Sequence, residues 1–159
     1  MTDAAPRLIL ICGLPGAGKT TLARRLAAEA PAVRLCPDEW MTQLGFDLFD
    51  EAARERVEAL QWQVAQELLR VGQSVILESG FWARSERDEK RLAARALGVK
   101  AELRYLDVSL DELWRRIEAR NAEPAWRSRP ITRQELEQWA PSFQPPDPEE
   151  LARFDPPEQ

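Results

Sequence analysis

Residues 8–20 have the sequence LILICGLPGAGKT, and this stretch decides the fold class. Its first five residues are apolar and lead directly into a glycine-containing turn, which is typical of a strand buried on both faces of a parallel sheet. The turn fits the pattern G-x-x-x-x-G-K followed by Ser or Thr, and a helical spacing of apolar residues begins at Lys19. A strand, this turn and a helix in direct succession predict a loop that binds nucleotide phosphates.

Each residue type in this loop has a chemical reason. Glycine permits backbone angles and a close approach to phosphate that a Cβ would block, and successive N–H groups then form a nest for an anion. The N-terminus of the following helix adds the positive end of its dipole. Lys19 is expected to reach the β- and γ-phosphates of the nucleotide, and the Thr20 hydroxyl is expected to ligate Mg²⁺. The predicted nucleotide-binding residues are Gly13, Leu14, Pro15, Gly16, Ala17, Gly18, Lys19, Thr20 and Thr21.

Beyond the loop, predicted strands alternate with predicted helices. Further strands are expected at 33–36, 74–77 and 100–107, and helices at 19–30, 51–71, 85–97, 109–120 and 132–139. This alternation predicts a single α/β domain over 1–140, with a four-stranded parallel sheet that is covered by helices on both faces.

The end of the chain differs in composition from the rest. Residues 141–159 contain six of the twelve prolines, and they carry five acidic residues against one Arg. We expect a Pro-rich acidic tail that lies extended over the surface or is partly disordered, with Leu151 and Phe154 as its candidate anchors.

Composition narrows the chemistry that the chain can perform. The net charge of −5 argues against a general nucleic-acid surface. His is absent, so proton transfer must depend on a carboxylate, a Lys or water.

Cys12 and Cys36 are too few for a zinc site or a disulfide framework, and we expect both to be small buried residues. The N-terminus lacks the features of a secretory signal and no apolar run is long enough for a membrane span, so a cytoplasmic protein is expected.

Two later motifs narrow the function further. Residues 35–39 (LCPDE) place carboxylates just after the second predicted strand, and residues 113–120 (LWRRIEAR) carry two Arg residues one helical turn apart. With the phosphate loop, these motifs make the chain resemble the P-loop small-molecule kinases, which include the kinase domain of phage polynucleotide kinase, chloramphenicol phosphotransferase and zeta-toxin kinases. The chain is also similar to bacterial proteins described only as ATP-binding or as candidate kinases. The resemblance runs from Leu8 to about Trp139.

The resemblance implies a catalytic role for Asp38. In these kinases an Asp after the second strand accepts the proton of the acceptor hydroxyl, and Asp38 occupies that position. The alternatives are that Asp38 caps the next helix, or that the neighbouring Glu39 is the base. Lys19, Arg116 and Arg120 complete the predicted catalytic set.

The resemblance also implies a lid over the phosphates. The helix that carries Arg116 and Arg120 leads into a predicted lid at about 121–131, where guanidinium groups would neutralise the charge on the transferring phosphoryl group. Arg127 and Arg129 are further candidates for this role. The alternative is a solvated basic face that takes no part in catalysis.

The acceptor is the least determined part of the prediction, and we expect transfer to a hydroxyl of a small molecule. Polynucleotide kinase has an Arg closely after its Asp, whereas Met41 stands here, which disfavours a nucleic-acid 5′ end. Glu78, at the carboxyl end of the third strand, could hold Mg²⁺ through water, bind the acceptor or simply pair with an Arg. Aromatic residues that could line an acceptor site or belong to the core are Trp40, Phe46, Phe49, Phe81 and Trp82.

Two other functions stay open. A polynucleotide or nucleoside kinase would keep the same machinery and change only the acceptor. A regulatory nucleotide-binding module would use the loop without needing Asp38 or the Arg residues of the lid. The sequence gives no firm indication of the oligomeric state.

Overall fold

Four parallel strands form the centre of the structure, a computed structural model that describes residues 5–123 and 129–157. The strands are β1 (Arg7–Cys12), β2 (Ala32–Leu35), β3 (Ser74–Gly80) and β4 (Lys100–Tyr105). Their order in the sheet is β2-β3-β1-β4, and every neighbouring pair is parallel. β1 is buried along its whole length, between two neighbouring strands and beneath helices on both faces. The predicted four-stranded parallel sheet is confirmed.

Helices cover both faces of this sheet. They are α1 (Lys19–Glu29), α2 (Pro37–Gln43), α3 (Glu51–Arg70), α4 (Arg84–Ala96), α5 (Leu110–Asn121), α6 (Arg133–Trp139) and α7 (Pro148–Ala152), with a 3-10 turn at Ala140–Ser142. Alternate residues of β1 face opposite layers, since Leu8 and Leu10 pack among side chains of α3 and α4 while Ile11 packs against α1. No helix within the described ranges combines the length and the apolar character that a membrane span requires.

The carboxyl ends of the strands bring the predicted site residues to one edge of the sheet. β1 continues into residues 13–18, β2 continues into α2, and β3 ends with the segment that contains Glu78. Ligands of open parallel sheets gather at this edge. Cys12 is the last residue of β1 and Cys36 directly follows β2, and both are buried, as expected. Burial raises the pKa of the Cys12 thiol to about 11 and also raises the pKa of Cys36.

The C-terminal segment differs from the expected extended tail. It contains α7, at whose start the Asp147 carboxylate accepts a hydrogen bond from the Glu150 N–H at 2.8 Å. Phe143 and Phe154 are buried in the main core, so Phe154 anchors the segment as expected, whereas Leu151 stays exposed. The segment packs despite its prolines and acids, from which an extended or partly disordered tail was predicted, because these two aromatic side chains supply apolar burial.

Candidate active site

Residues 13–18 form a tight loop between β1 and α1, and packing on α5 fixes its shape. Gly16 and Gly18 have φ values of 86° and 96°, in the left-handed region that disfavours side chains. A Cβ on Gly16 would lie 3.0 Å from Ile117 Cγ1 and 3.1 Å from the Leu113 carbonyl oxygen, so a larger residue has no room there. Gly18 is the N-cap of α1, so the N–H groups that open this helix point towards the loop. This geometry suits an anion.

Lys19 reaches back over the loop from the first position of α1. Its Nζ donates to the carbonyl oxygens of Gly13 at 3.2 Å and Leu14 at 3.0 Å. A phosphate in the loop would offer charged acceptors at the same place, and charge-assisted hydrogen bonds are about twice as strong as neutral ones. The position of Lys19 therefore supports its predicted phosphate-binding role, which stays a prediction.

Polar contacts join α1 to the ends of β2 and β3. The Thr20 hydroxyl donates to Glu78 Oε1 at 2.7 Å, and Glu78 Oε2 accepts from Arg34 Nη1 at 2.5 Å. Arg34 Nη2 then donates to both carboxylate oxygens of Glu39, at 2.6 and 2.7 Å. Because Glu78 is only 5% exposed, protein groups rather than water stabilise its charge. Glu78 thus pairs with an Arg, as one interpretation allowed, and also lies beside the predicted Mg²⁺ ligand.

These ion pairs shift the pKa values of Arg34 and Glu39. Burial alone would lower the pKa of Arg34, but its hydrogen bonds to Glu39 and Glu78 raise the pKa above its ordinary value. Burial alone would raise the pKa of Glu39, and the hydrogen bonds from Arg34 outweigh that effect and lower it. A carboxylate with a lowered pKa is a poor proton acceptor, which disfavours Glu39 as the base.

Asp38 lies inside the first turn of α2, where Cys36 holds the N-cap position, so Asp38 is not the helix cap that the sequence allowed. Its Oδ1 lies 2.8 Å from Nη2 of Arg54 on α3. The two side chains are 40% and 29% exposed, so a second substrate can reach both. Sequence reasoning missed Arg54 because the pair depends on how α2 packs against α3, and no motif contains both residues.

The position that carries an Arg in polynucleotide kinase has a packing role here. Met41 is fully buried, in a small core with Ala53 and Val57 between α2 and α3. The guanidinium group beside Asp38 comes instead from Arg54, one helix later in the chain. An Arg therefore accompanies the predicted base although the expected sequence position lacks one.

Arginine residues line a groove of about 580 Å³ beside the phosphate loop. Arg116 Nη1 donates to the carbonyl oxygens of Ala17 at 3.2 Å and Gly16 at 3.4 Å, so its guanidinium lies directly on the loop. The groove is lined by Gly18, Thr21, Arg25, Arg115, Arg116 and Arg120, among others. Guanidinium groups next to the N-terminus of a helix suit a polyphosphate. Of the two predicted Arg residues of α5, Arg116 thus contacts the loop and Arg120 lines the groove beside it.

Only the two ends of the predicted lid at 121–131 belong to the part of the chain that the structure describes, and Arg127 lies outside it. Asn121 joins these ends, since its Nδ2 donates to the Ile131 carbonyl at 2.7 Å and its Oδ1 accepts from the Ile131 N–H at 3.1 Å. The segment therefore starts and finishes at one fixed point at the end of α5.

Arg129, at the far end of this segment, contacts the connection between α2 and α3. Its guanidinium carbon lies 3.7 Å from the ring centroid of Phe49, and its Nη1 and Nη2 donate to Glu135 at 2.8 and 2.9 Å. Phe46, in the same connection, is 44% exposed. Arg129 is thus held by an aromatic ring and a carboxylate.

The other predicted aromatic residues lie closer to the core. Phe81 is buried in the main core, so the core interpretation holds for it. Trp40 and Trp82 are partly buried against the same core. An acceptor-binding role for these two tryptophans stays a prediction.

Comparison with known proteins adds a family. Residues 8–146, most of the chain, match the family described as AAA domain. The chain belongs to the AAA domain family. This AAA domain has a P-loop kinase-like fold, which confirms the resemblance that its motifs indicated. Among curated proteins, none matches the sequence.

Solved structures share the fold of this AAA domain. A chain of the Pnkp1/Rnl/Hen1 RNA repair complex is 20% identical with a TM-score of 0.74, and 95% of this chain and 47% of that longer chain are covered. A candidate kinase from Chloroflexus aurantiacus is 25% identical with a TM-score of 0.73, and 91% of this chain and 83% of that one are covered. A gluconokinase from Sinorhizobium meliloti is 20% identical with a TM-score of 0.63, with 91% and 78% covered.

Sequence reasoning also missed Arg34, which links Glu78 to Glu39 in this AAA domain. A signal was present, because Arg34 is a charged residue inside the otherwise apolar stretch 33–36. A charge in a half-buried strand requires a partner, and the carboxylates of neighbouring strand ends supply it. A charged residue in a half-buried strand is therefore a candidate site residue when it lies just before the edge of the sheet where ligands bind.

Proposed function

We propose that this AAA domain is an ATP-dependent phosphotransferase that moves the γ-phosphate of ATP to a hydroxyl of a small molecule. One observation carries the proposal above all. Polar contacts run from Thr20, in the first turn of α1, to Glu39, which directly follows Asp38. The network therefore connects the start of α1 to the residue next to the candidate base, at the same edge of the sheet.

ATP would bind with its phosphates in the loop at 13–18. The N–H groups of the loop and the Lys19 ammonium supply positive potential where the phosphates would lie. The groove that Arg116 and Arg120 line begins at this loop, and we assign it to the rest of the nucleotide. Thr21 lines the same groove, in keeping with its predicted place among the nucleotide-binding residues.

The residues beside the loop fit Mg²⁺. Thr20 Oγ1 and Glu78 Oε1 lie 2.7 Å apart, and both are hard oxygen donors of the kind that Mg²⁺ prefers. We assign Thr20 as a direct ligand and Glu78 as the group that accepts a hydrogen bond from Thr20 or from a metal-bound water. When bound, Mg²⁺ would supply charge neutralisation at the β- and γ-phosphates.

Asp38 would take the proton of the acceptor hydroxyl. As the hydroxyl oxygen forms its bond to the γ-phosphorus, the bond from that phosphorus to the ADP leaving group breaks, and the proton passes to the Asp38 carboxylate. Arg54, 2.8 Å from Oδ1, orients the carboxylate. Arg116 and Arg120 would stabilise the negative charge of the transferring group.

A polynucleotide acceptor is the second candidate, because one matched structure belongs to an RNA repair complex. The net charge of −5 and the buried Met41 in place of an Arg count against it. Salt separates the two acceptors, since binding of a polynucleotide weakens steeply as salt rises whereas binding of an uncharged small molecule does not.

The test is ³¹P NMR of ATP and Mg²⁺ with the wild-type chain and a panel of acceptors. The panel holds nucleosides, sugars, nucleotide sugars, aminoglycosides and 5′-hydroxyl oligonucleotides. We expect a new phosphate ester with one small-molecule class. Ester formation on the oligonucleotide alone would establish the polynucleotide alternative.

Matched Lys variants show that the activity belongs to this site. Lys19→Met is expected to slow ester formation by at least about a hundredfold, because a cation at the transferring phosphate is lost. Lys100→Met, at the exposed start of β4, is expected to keep the wild-type rate. Nucleotide binding without transfer to any acceptor would contradict the proposal and favour a regulatory module.

A further inference from the structure

A buried ion pair joins the C-terminal segment to α4. Arg87 and Glu150 are 0% and 1% exposed, and two parallel bonds connect them, Nε to Oε2 at 2.6 Å and Nη2 to Oε1 at 2.8 Å. Burying two charges costs desolvation free energy, and apolar residues of similar volume often stabilise a fold equally well. Stability alone therefore does not account for this ion pair, so its other contacts matter.

The remaining guanidinium nitrogen of Arg87 holds a strained corner of the backbone. Nη1 donates to the carbonyl oxygens of Phe81 at 2.7 Å and Trp82 at 3.3 Å. Phe81 has a φ of 50° and is the only non-glycine residue with a positive φ within 5–123 and 129–157. Because side chains disfavour this region, the corner depends on restraint from its surroundings.

The corner touches the start of the phosphate loop. The Gly13 N–H donates to the Gly80 carbonyl at 3.0 Å, and a Cβ on Gly80 would lie 3.2 Å from the Gly13 oxygen. The Cys12 thiol donates to the Phe81 carbonyl at 3.5 Å. Glu78, which faces α1, lies only two residues before Gly80 in β3. A change at the corner would therefore displace Gly13 and Glu78 together.

The C-terminal segment holds the corner from its other side. The Gln144 N–H donates to the Trp82 carbonyl at 2.8 Å, and Gln144 Oε1 accepts from the Arg84 N–H at 2.9 Å. Phe143 stacks on the ring of Tyr105 with centroids 5.9 Å apart, which fixes the segment beside the end of β4. Glu150 adds the buried pair from α7. Contacts from 143–150 thus converge on the corner from several directions.

We infer that residues 143–150 are a clasp that sets the conformation of the corner at 80–82, and that Arg87 and Glu150 are positioning residues for the binding of nucleotide phosphates. The inference rests on the nucleotide binding proposed above. Both side chains are buried under the corner, so they act through the backbone of Gly13 rather than by touching the nucleotide.

Removal of the pair without leaving a lone buried charge tests the clasp. The double variant Arg87→Met with Glu150→Leu replaces both partners by apolar side chains, so we expect it to fold while the bonds to the corner are lost. Calorimetric ADP affinity with Mg²⁺ is expected to fall at least about tenfold. The Gly13 amide resonance, recorded in ¹⁵N spectra without nucleotide, is expected to move. The single variant Glu150→Gln is measured in the same two ways, and the same two changes are expected. The clasp is therefore tested even if only one of the two variants folds.

The matched control is Arg153→Gln. It breaks the exposed ion pair between Arg153, which directly follows α7, and Glu149 of that helix. It is expected to change neither the ADP affinity nor the Gly13 resonance. A folded double variant with wild-type ADP affinity and an unmoved Gly13 resonance would overturn the clasp. If the wild type itself bound no ADP, the nucleotide-binding proposal would fail, and the Gly13 resonance would still decide for or against the clasp.

Discussion

The phosphate side and the acceptor side of the candidate site are assembled in different ways. The phosphate side is residues 13–20 with α5 packed against them, and one contiguous motif forms most of it. The proposed acceptor side contains Asp38 and Arg54, which meet only because α2 packs against α3. A contiguous loop fixes its ligand through backbone geometry, whereas distant residues can be exchanged singly without disturbing that loop. This difference explains how domains of one fold can share a nucleotide and differ in acceptor.

Apart from the candidate base Asp38, the largest effect is expected at Glu78, which contacts Thr20 on the phosphate side and pairs with Arg34. Glu78→Gln removes the charge that accepts from Thr20 and pairs with Arg34. Turnover is expected to fall by about 10²- to 10³-fold, and the Mg²⁺ concentration for half-maximal rate is expected to rise, because the group that orients the metal ligand is lost. Steady-state kinetics over a Mg²⁺ titration measures both quantities.

A second buried carboxylate provides the control for Glu78. Glu102 pairs with Arg7 and Arg104 in the sheet. Glu102→Gln is expected to lower the unfolding temperature without changing the Mg²⁺ requirement. Equal Mg²⁺ requirements in Glu78→Gln and the wild type would show that Glu78 supports the fold and has no part in metal binding.

The contrast between the two sides also marks how far the sequence could predict this molecule. The buried run at 8–12 and the loop after it were predictable because periodicity and glycine geometry are properties of contiguous residues. Arg34 left a signal, a charge within an apolar strand, and its partners Glu39 and Glu78 were themselves candidates, but the sequence did not show that these three residues meet. Arg54 left no signal. The pair of Glu150 with Arg87 was not predicted, because the two residues lie far apart in the chain and only packing brings them together.

The next largest effect is expected at Glu58 of α3, where a substitution changes the free energy of unfolding. The pKa of Glu58 is raised to about 7, mainly by burial and in part by Glu86 and Asp38, against the lowering effect of Arg54 and Lys90. From a pH of about 4.5 to about 7 the folded chain keeps a proton that the unfolded chain has released, so the free energy of unfolding falls as the pH rises. Glu58→Gln is expected to stabilise the chain by at most about 3 kcal/mol near pH 8 and hardly at all near pH 4.

Thermal unfolding at both pH values checks this expectation. Glu55→Gln, an exposed site on the same helix, is the control and is expected to leave the pH dependence as in the wild type. If Glu58→Gln and the control followed the same pH dependence, the carboxyl at 58 would be ionised in the folded chain at neutral pH, and the buried environment assigned to it would be wrong.

A smaller effect is expected at Arg54. Arg54→Met removes the partner that orients Asp38, so kcat/KM for the acceptor is expected to fall about tenfold, in line with a partly exposed pair that positions a base. ADP affinity is expected to stay within about twofold of the wild type. Arg56→Met, exposed on the same helix, is the control for removal of a positive charge. An equal loss of nucleotide affinity in Arg54→Met would assign this residue to the phosphate side.

The separation of the two sides is tested most directly by calorimetric titration of ADP and Mg²⁺ into Asp38→Asn, together with its acceptor-stimulated turnover. We predict a Kd within about twofold of the wild type, and a loss of acceptor-stimulated turnover of about 10²- to 10⁴-fold, because proton acceptance is lost while the loop is intact. Turnover that survives the substitution, or nucleotide binding that disappears with it, would contradict a base on the acceptor side.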